Sequence, residues 1–253
     1  MDFSPGGAID LAMSGYPLPH AMVLAAGLGT RMRPLTDTLP KPLVRVAGKP
    51  LLDRVVENAV LESIPRLVIN VHHHADQMER HIAALRARHA GVEIVISDER
   101  ATLRDTGGAI AQALPSLDTD PILVMNADSI WPLGADRPIA RLIETYHEHG
   151  AQAALLCARP HQATGFRRSH DFCLDPNRRI TSDSGAPVIY AGVALIKRSL
   201  IAAAGTDKFS LVTLFDQALE AGRMVGAPLL APWLHVGDPA AIGEAEKVLE
   251  ADQ

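Results

Sequence analysis

The stretch Val23-Leu24-Ala25-Ala26-Gly27-Leu28-Gly29-Thr30-Arg31-Met32, with Pro40-Lys41-Pro42-Leu43 downstream, decides how the rest of the chain is read. The apolar run from Met22 to Ala26 predicts a buried strand. It breaks into a turn that carries Gly27 and Gly29. Glycine lets the backbone approach a bulky anion and aim several N–H groups at it. Arg31 adds a planar fork matched to phosphate oxygens. Lys41 adds a point charge on a loop framed by Pro40 and Pro42. A strand, a glycine turn and two cations together predict a polyphosphate site. Two familiar glycine loops are excluded: no G-x-x-x-x-G-K-[ST] occurs, and Met32 stands where G-x-G-x-x-G needs its third glycine.

Outward from this loop, apolar strands alternate with amphipathic helices. A helix is expected over 50–62, with Leu51, Leu52, Val55, Val56, Ala59 and Val60 on one side and Pro50 in its first turn. Strands follow over 66–71, 92–97, 121–126 and 151–158, and helices over 75–89, 106–114 and 139–149. This alternation implies βαβ units, a mostly parallel sheet and right-handed crossovers. After Pro160 the rhythm changes. A hairpin is expected over 171–180 around Asp175-Pro176-Asn177. Further strands are expected over 187–196, 224–230 and 232–236, a helix over 210–221, and a closing helix over 239–250 with Asp238 available as its N-cap. No repeat or linker divides the chain. The expectation is an irregular extension over 1–19 and one domain over 20–253.

Composition bounds the rest. With 253 residues, 47% hydrophobic but only 4% aromatic, the core must be built from Ala, Val, Leu and Ile. The net charge of −5, without a basic block, speaks against a nucleic-acid binder. Cys157 and Cys173 make no metal pattern and fit a reducing cytoplasm. No apolar stretch approaches a membrane span, and the first twenty residues do not read as a secretory signal.

Ligands of open α/β sheets bind outside the carboxyl ends of the strands. The first predicted strand ends at Gly27. The third leads through Ser97, Asp98 and Glu99 to Asp105-Thr106-Gly107-Gly108. The fourth leads through Asn126-Ala127 to Asp128. A carboxylate at that last position, beside a triphosphate, is a natural Mg²⁺ ligand, although a turn aspartate would look the same. Thr106-Gly107-Gly108 opens a helix, whose free N–H groups could receive phosphate or base edges. His72-His73-His74 does not read as a metal cluster, because adjacent side chains do not converge, and a solvated loop is expected. Arg167 and Arg168 fall in a loop, either solvated or facing an anionic sugar substituent.

The full string A-A-G-x-G-T-R-M-x-P-L-T with P-K-P-L resembles the signature of the sugar-1-phosphate nucleotidyltransferases. The resemblance implies a Rossmann-like three-layer fold with a small antiparallel sugar-binding elaboration. It implies that Ala25, Ala26, Gly27, Gly29 and Thr30 embrace a nucleoside triphosphate that Arg31 and Lys41 neutralise. It makes Asp128 the metal ligand for Mg²⁺ or Mn²⁺, puts Gly107 and Gly108 beside the base, and puts Asn126, Tyr190 and Gly192 beside the sugar. Trp233-Leu234-His235-Val236-Gly237-Asp238-Pro239 matches the family's W-x-D-V-G-T-P only in part. His235 stands where the family has its second metal aspartate, so it either ligates the metal itself, leaves the task partly to Asp238, or is structural. The stretch Ser182 to Pro187 lacks the lysine that touches the sugar phosphate in the larger branches. This points to the short uridylyltransferases of bacterial cell-wall recycling, which use UTP and N-acetylmuramic acid 1-phosphate. A cytoplasmic monomer or small homo-oligomer is expected. A CTP- or GTP-dependent relative and a non-catalytic nucleotide-sugar sensor remain the alternatives.

Overall fold

The computed structural model describes residues 15–134 and 137–251. Most of the expected N-terminal extension, residues 1–14, lies outside the described residues, and residues 15–20 form no helix or strand. Nine strands make the central sheet: β1 (Ala21–Leu24), β2 (Arg66–Val71), β3 (Glu93–Asp98), β4 (Ile122–Asn126), β5 (Ala153–Ala158), β6 (Phe172–Leu174), β7 (Ile180–Thr181), β8 (Ala186–Ile196) and β9 (Met224–Pro228). Their order is β7-β6-β8-β4-β1-β2-β3, with β5 also on β8 and β9 on β5. The half that holds the glycine loop, β4-β1-β2-β3, is parallel throughout. β8 then runs antiparallel to β4, β5 and β6, so the expected antiparallel elaboration grows from the same sheet. The expected hairpin is present as β6–β7, with Cys173 opposite Thr181.

Among the described residues seven helices flank the sheets: α1 (Leu51–Leu61), α2 (Ala75–Arg88), α3 (Asp105–Ala113), α4 (Pro138–Glu148), α5 (Arg198–Ala203), α6 (Leu211–Glu220) and α7 (Pro239–Ala251). The layers follow from the two-residue period of the strands. Ala21, Val23, Leu67 and Ile69 pack with α1, α2, α4 and α7 on one face. Met22, Val68 and Val124 pack with α3, α5 and α6 on the other. Small side chains let these layers close without aromatic bulk. The helix ends obey local chemistry. Asp238 Oδ1 accepts the amide of Ala241 at 2.9 Å and starts α7, as expected. The buried Glu62 carboxylate, at the end of α1, accepts the amides of Ile139 and Ala140 at 2.9 and 2.6 Å and so caps α4 from another element.

The sequence reading has no counterpart for α5, for a short hairpin that pairs Arg45–Val46 with Lys49–Pro50, or for two further features. A small sheet pairs Trp233–His235 antiparallel with Ser129–Ile130 and parallel with Ala163–Thr164. It ties the segment after β4 to the chain's last strand. The segment between the glycine loop and α1 is wound into three short 3₁₀ turns, Thr30–Met32, Leu35–Asp37 and Lys41–Leu43. Among the described residues no helix is long and apolar enough to cross a membrane.

The small sheet leaves no room at Gly165. Its φ is +77°, and a Cβ there would lie 2.1 Å from the carbonyl oxygen of His235. A left-handed residue facing rigid backbone tolerates only glycine. Gly165→Ala should therefore lower unfolding free energy by about 3 kcal/mol. Chemical denaturation measures this, and a loss within about 0.5 kcal/mol would show that the small sheet yields freely.

Candidate active site

A cleft of about 530 Å³ opens at the carboxyl ends of the parallel strands. The glycine loop forms one wall, and the segments after β2, β3 and β4 form the others. Gly29 sits at φ +62° and lets the loop turn back, where its carbonyl accepts the Met32 amide and the Thr36 hydroxyl, each at 2.8 Å. A Cβ on Gly29 would come within 3.1 Å of Lys41 Cβ, so the turn also brings Lys41 to the loop. The amides of Ala25 and Ala26, expected to serve the nucleotide, are taken by Asn70 Oδ1 at 2.6 and 3.2 Å. Those from Gly27 to Thr30 donate to no protein acceptor among the described residues. A row of uncommitted N–H groups beside cations is an anion-binding arrangement.

Lys41 and Asp128 meet at the cleft floor. Lys41 Nζ lies 2.5 Å from Asp128 Oδ2, with the side chains 14% and 22% exposed. Asp128 is delivered by β4 and fixed by its carbonyl, which accepts the amide of Val236 from the small sheet at 2.9 Å. Burial alone would push the Asp128 carboxyl up. The positive groups around it, Lys41 first, outweigh burial and hold it below the ordinary aspartate range. Arg31 is exposed and lines the same cleft. His235 lies on the strand opposite Ser129, close enough to feel the charges of Asp128, Lys41 and Arg31. Its ring stacks on Trp233 at 5.7 Å. Burial, reinforced by Lys41 and Arg31 and opposed by Asp128, holds its imidazole below the ordinary histidine value. Arg31, Lys41, Asp128 and His235 are thus brought together from four separated stretches of chain.

Other expected residues fare differently. Asn126 lines the cleft beside Asp128. Gly192 packs beside Asn126 and Ser129, and a Cβ there would come within 2.2 Å of Ser129 Oγ. Tyr190 packs edge-on against Phe215, and its buried hydroxyl has no partner among the described residues. Gly107 and Gly108 need correction. Their amides are spent on the Phe209 carbonyl at 2.9 and 3.2 Å, and a Cβ on either would strike Phe209 or Asp207. They let α3 dock against the segment before α6, while Leu103, Asp105 and Thr106 line the cleft. Asp238 caps α7 through Oδ1, and its Oδ2 lies 3.7 Å from Arg167 Nε. Arg167 pairs with Glu244 at 2.9 Å and Arg168 with Asp171 at 2.5 Å, both at the surface. The three histidines do not form a merely solvated loop. His72 Nδ1 lies 2.8 Å from the Glu99 carbonyl and His73 Nε2 3.0 Å from that of Thr36, which brace neighbouring loops.

Sequence reading passed over Asn70 and Lys208, both lining the cleft. Asn70 had a visible signal: a lone amide inside the apolar run Leu67 to Val71, at the loop end of a strand beside β1. Lys208 had none, because it reaches the cleft only through the docking of its loop on α3.

Comparison with known proteins agrees with this geometry. Residues 20–166 match the family model described as nucleotidyl transferase. The N-acetylmuramate alpha-1-phosphate uridylyltransferase of Caulobacter vibrioides is 40% identical over 229 residues, covering 89% of this chain and 95% of that protein. The enzyme of the same name from Neisseria meningitidis serogroup B is 32% identical, covering 91% and 98%. The fold matches a solved UDP-glucose pyrophosphorylase from Acinetobacter baumanii with a TM-score of 0.73 at 16% identity, over 93% of this chain and 97% of that one. Phosphate loop, strand-end carboxylate, fold and overall likeness therefore agree: the chain belongs to the nucleotidyl transferase family and, within it, to the sugar-1-phosphate nucleotidyltransferases.

Proposed function

We propose that this chain transfers the uridylyl group of UTP to N-acetylmuramic acid 1-phosphate, releasing pyrophosphate. The observation that carries the reaction class is the Lys41–Asp128 pair lying beside the uncommitted amides of the glycine loop. The choice of base and sugar rests on the two uridylyltransferases that the chain resembles over most of its length. A phosphate monoester oxygen of the sugar attacks the α-phosphorus. The new P–O bond forms as the bond to the β-phosphate bridge breaks, and pyrophosphate leaves. The nucleophile already carries charge, so no general base is required. Catalysis reduces to placement and charge neutralisation. The loop amides and Arg31 hold the β- and γ-phosphates, and Lys41 the reacting phosphates. The base lies towards Leu103 and Thr106, and the sugar towards Asn126, Gly192 and the unpartnered Tyr190 hydroxyl.

The donor set fits a hard divalent cation. Mg²⁺ is commonly held by one or two carboxylates together with substrate phosphates and water, and Asp128 offers a charged oxygen at the right end of β4. Such an ion supplies further neutralisation of phosphate charge. His235, kept neutral by its surroundings near neutral pH, is the second ligand in this proposal. An imidazole in that place favours ions that accept nitrogen.

A pyrophosphate-release assay across nucleoside triphosphates and sugar 1-phosphates tests the assignment. The combination of UTP and N-acetylmuramic acid 1-phosphate should lead, and a higher kcat/KM for a GTP or CTP pair would overturn the choice of substrate. Lys41→Ala should lower kcat about a hundredfold or more, the usual cost of one charge contact in the transition state. Parental turnover at saturating substrates would remove Lys41 from the reaction. Asp128→Asn, or excess EDTA on the parent, should abolish most activity, and undiminished turnover in EDTA would end the metal assignment. With His235 as a ligand, Mn²⁺ or Co²⁺ should outperform Mg²⁺, and His235→Asp should move the preference back to Mg²⁺. An unchanged preference would leave His235 a structural residue.

A further inference from the structure

Below the glycine loop runs a buried chain of hydrogen bonds in which nothing has yet been assigned a part in the reaction. Asn70 and Glu99 are only 3% and 2% exposed, and both border the cleft. Asn70 Oδ1 accepts the amides of Ala25 and Ala26 at 2.6 and 3.2 Å. Asn70 Nδ2 donates to Glu99 Oε1 at 2.7 Å. Glu99 Oε2 accepts the amide of Arg104 at 3.1 Å, just before α3. A carboxylate only accepts, so the nitrogen side of Asn70 must face Glu99 and its oxygen must face the loop. One orientation satisfies every partner.

We propose that Asn70 is the positioning residue of the phosphate-binding loop, and that Glu99 holds it in the orientation this requires. The inference rests on the phosphate-transfer reading above. A glycine-rich loop has many conformations, and each costs affinity unless it is excluded before the ligand arrives. Asn70 takes the two amides that open the loop. The chain path at Gly27 is then fixed, and the following amides are left free for the triphosphate. Asn70 itself touches no reacting atom; it acts through the backbone of its neighbour strand.

The donor–acceptor logic can be reversed. Asn70→Asp keeps an acceptor for the loop amides but sets a second carboxylate against Glu99. Adding Glu99→Gln restores a donor between the two positions. Asn70→Asp should lower kcat/KM for UTP about ten- to a hundredfold, mainly through KM, because a buried pair is left without its hydrogen bond. KM for the sugar phosphate should change less than about twofold, since the loop does not hold it. The double substitution should recover about tenfold. All assays are run well below each variant's melting point, where a merely structural role leaves kcat/KM unmoved. Parental kcat/KM in Asn70→Asp, or no recovery in the double variant, would overturn the inference. A second measurement needs neither substrate nor variant. Amide hydrogen exchange in the free protein should be protected at Ala25 and Ala26 and fast from Gly27 to Thr30. Uniform exchange across these residues would also overturn it. If the parent fails to turn over UTP while Ala25 and Ala26 are protected, the substrate reading fails and the loop brace stands.

Discussion

The ion pair between Lys41 and Asp128 organises the site, because each partner would be costly to hold there alone. The two are 87 positions apart in the chain and meet at 2.5 Å. One comes from a 3₁₀ turn framed by prolines, the other from the end of a central strand. A carboxylate withdrawn from water must find opposite charge or take up a proton. Here the lysine keeps it charged. In the proposed reaction the same lysine faces phosphate, so substrate entry would exchange its partners, and the carboxylate it releases would take a cation in its place.

The sheet explains why these parts can be placed so closely. β1, β2 and β4 are parallel neighbours, so their carboxyl ends share one edge, and the glycine loop, Asn70 and Asp128 follow from three adjacent strands. β8 changes the direction of growth. Its register shifts between Tyr190 and Ala194, and Gly192 lies within that interval. On one side of the shift the strand pairs with β4, on the other with β6, while β5 pairs with it on both sides. One strand thereby carries the sheet from its parallel half into its antiparallel half.

Much of this was legible in the sequence, for identifiable reasons. Strands over 66–71 and 121–126 announce themselves as short apolar runs, and nearly every residue in them is buried, while amphipathic helices such as α4 announce themselves by period, which their burial follows. The glycine loop and Asp128 were legible because their chemistry is concentrated in a few adjacent positions. The small sheet was not, because pairings of two or three residues leave no periodic trace. The two glycines at 107 and 108 misled for a physical reason. A glycine that admits a ligand and one that admits a neighbouring ring look alike until the neighbour is known, and here it is Phe209. Asp238, by contrast, was legible as the cap of the helix it starts, because an aspartate just before Pro239 is a local signal. The brace formed by Asn70 and Glu99 joins side chains 29 positions apart, which no local pattern encodes.

The stacking of Trp233 on His235 has a spectroscopic consequence. The chain has two tryptophans, and both are buried. The Trp233 indole is anchored, with its N–H donating to the Ala191 carbonyl at 3.0 Å and one face against the imidazole. Any event that changes the charge on His235, whether a proton or a cation, acts directly on an excited indole held at fixed distance. The protein therefore carries an intrinsic fluorophore within one side chain of its charged centre, and occupancy of that centre can be followed by emission from the unlabelled chain.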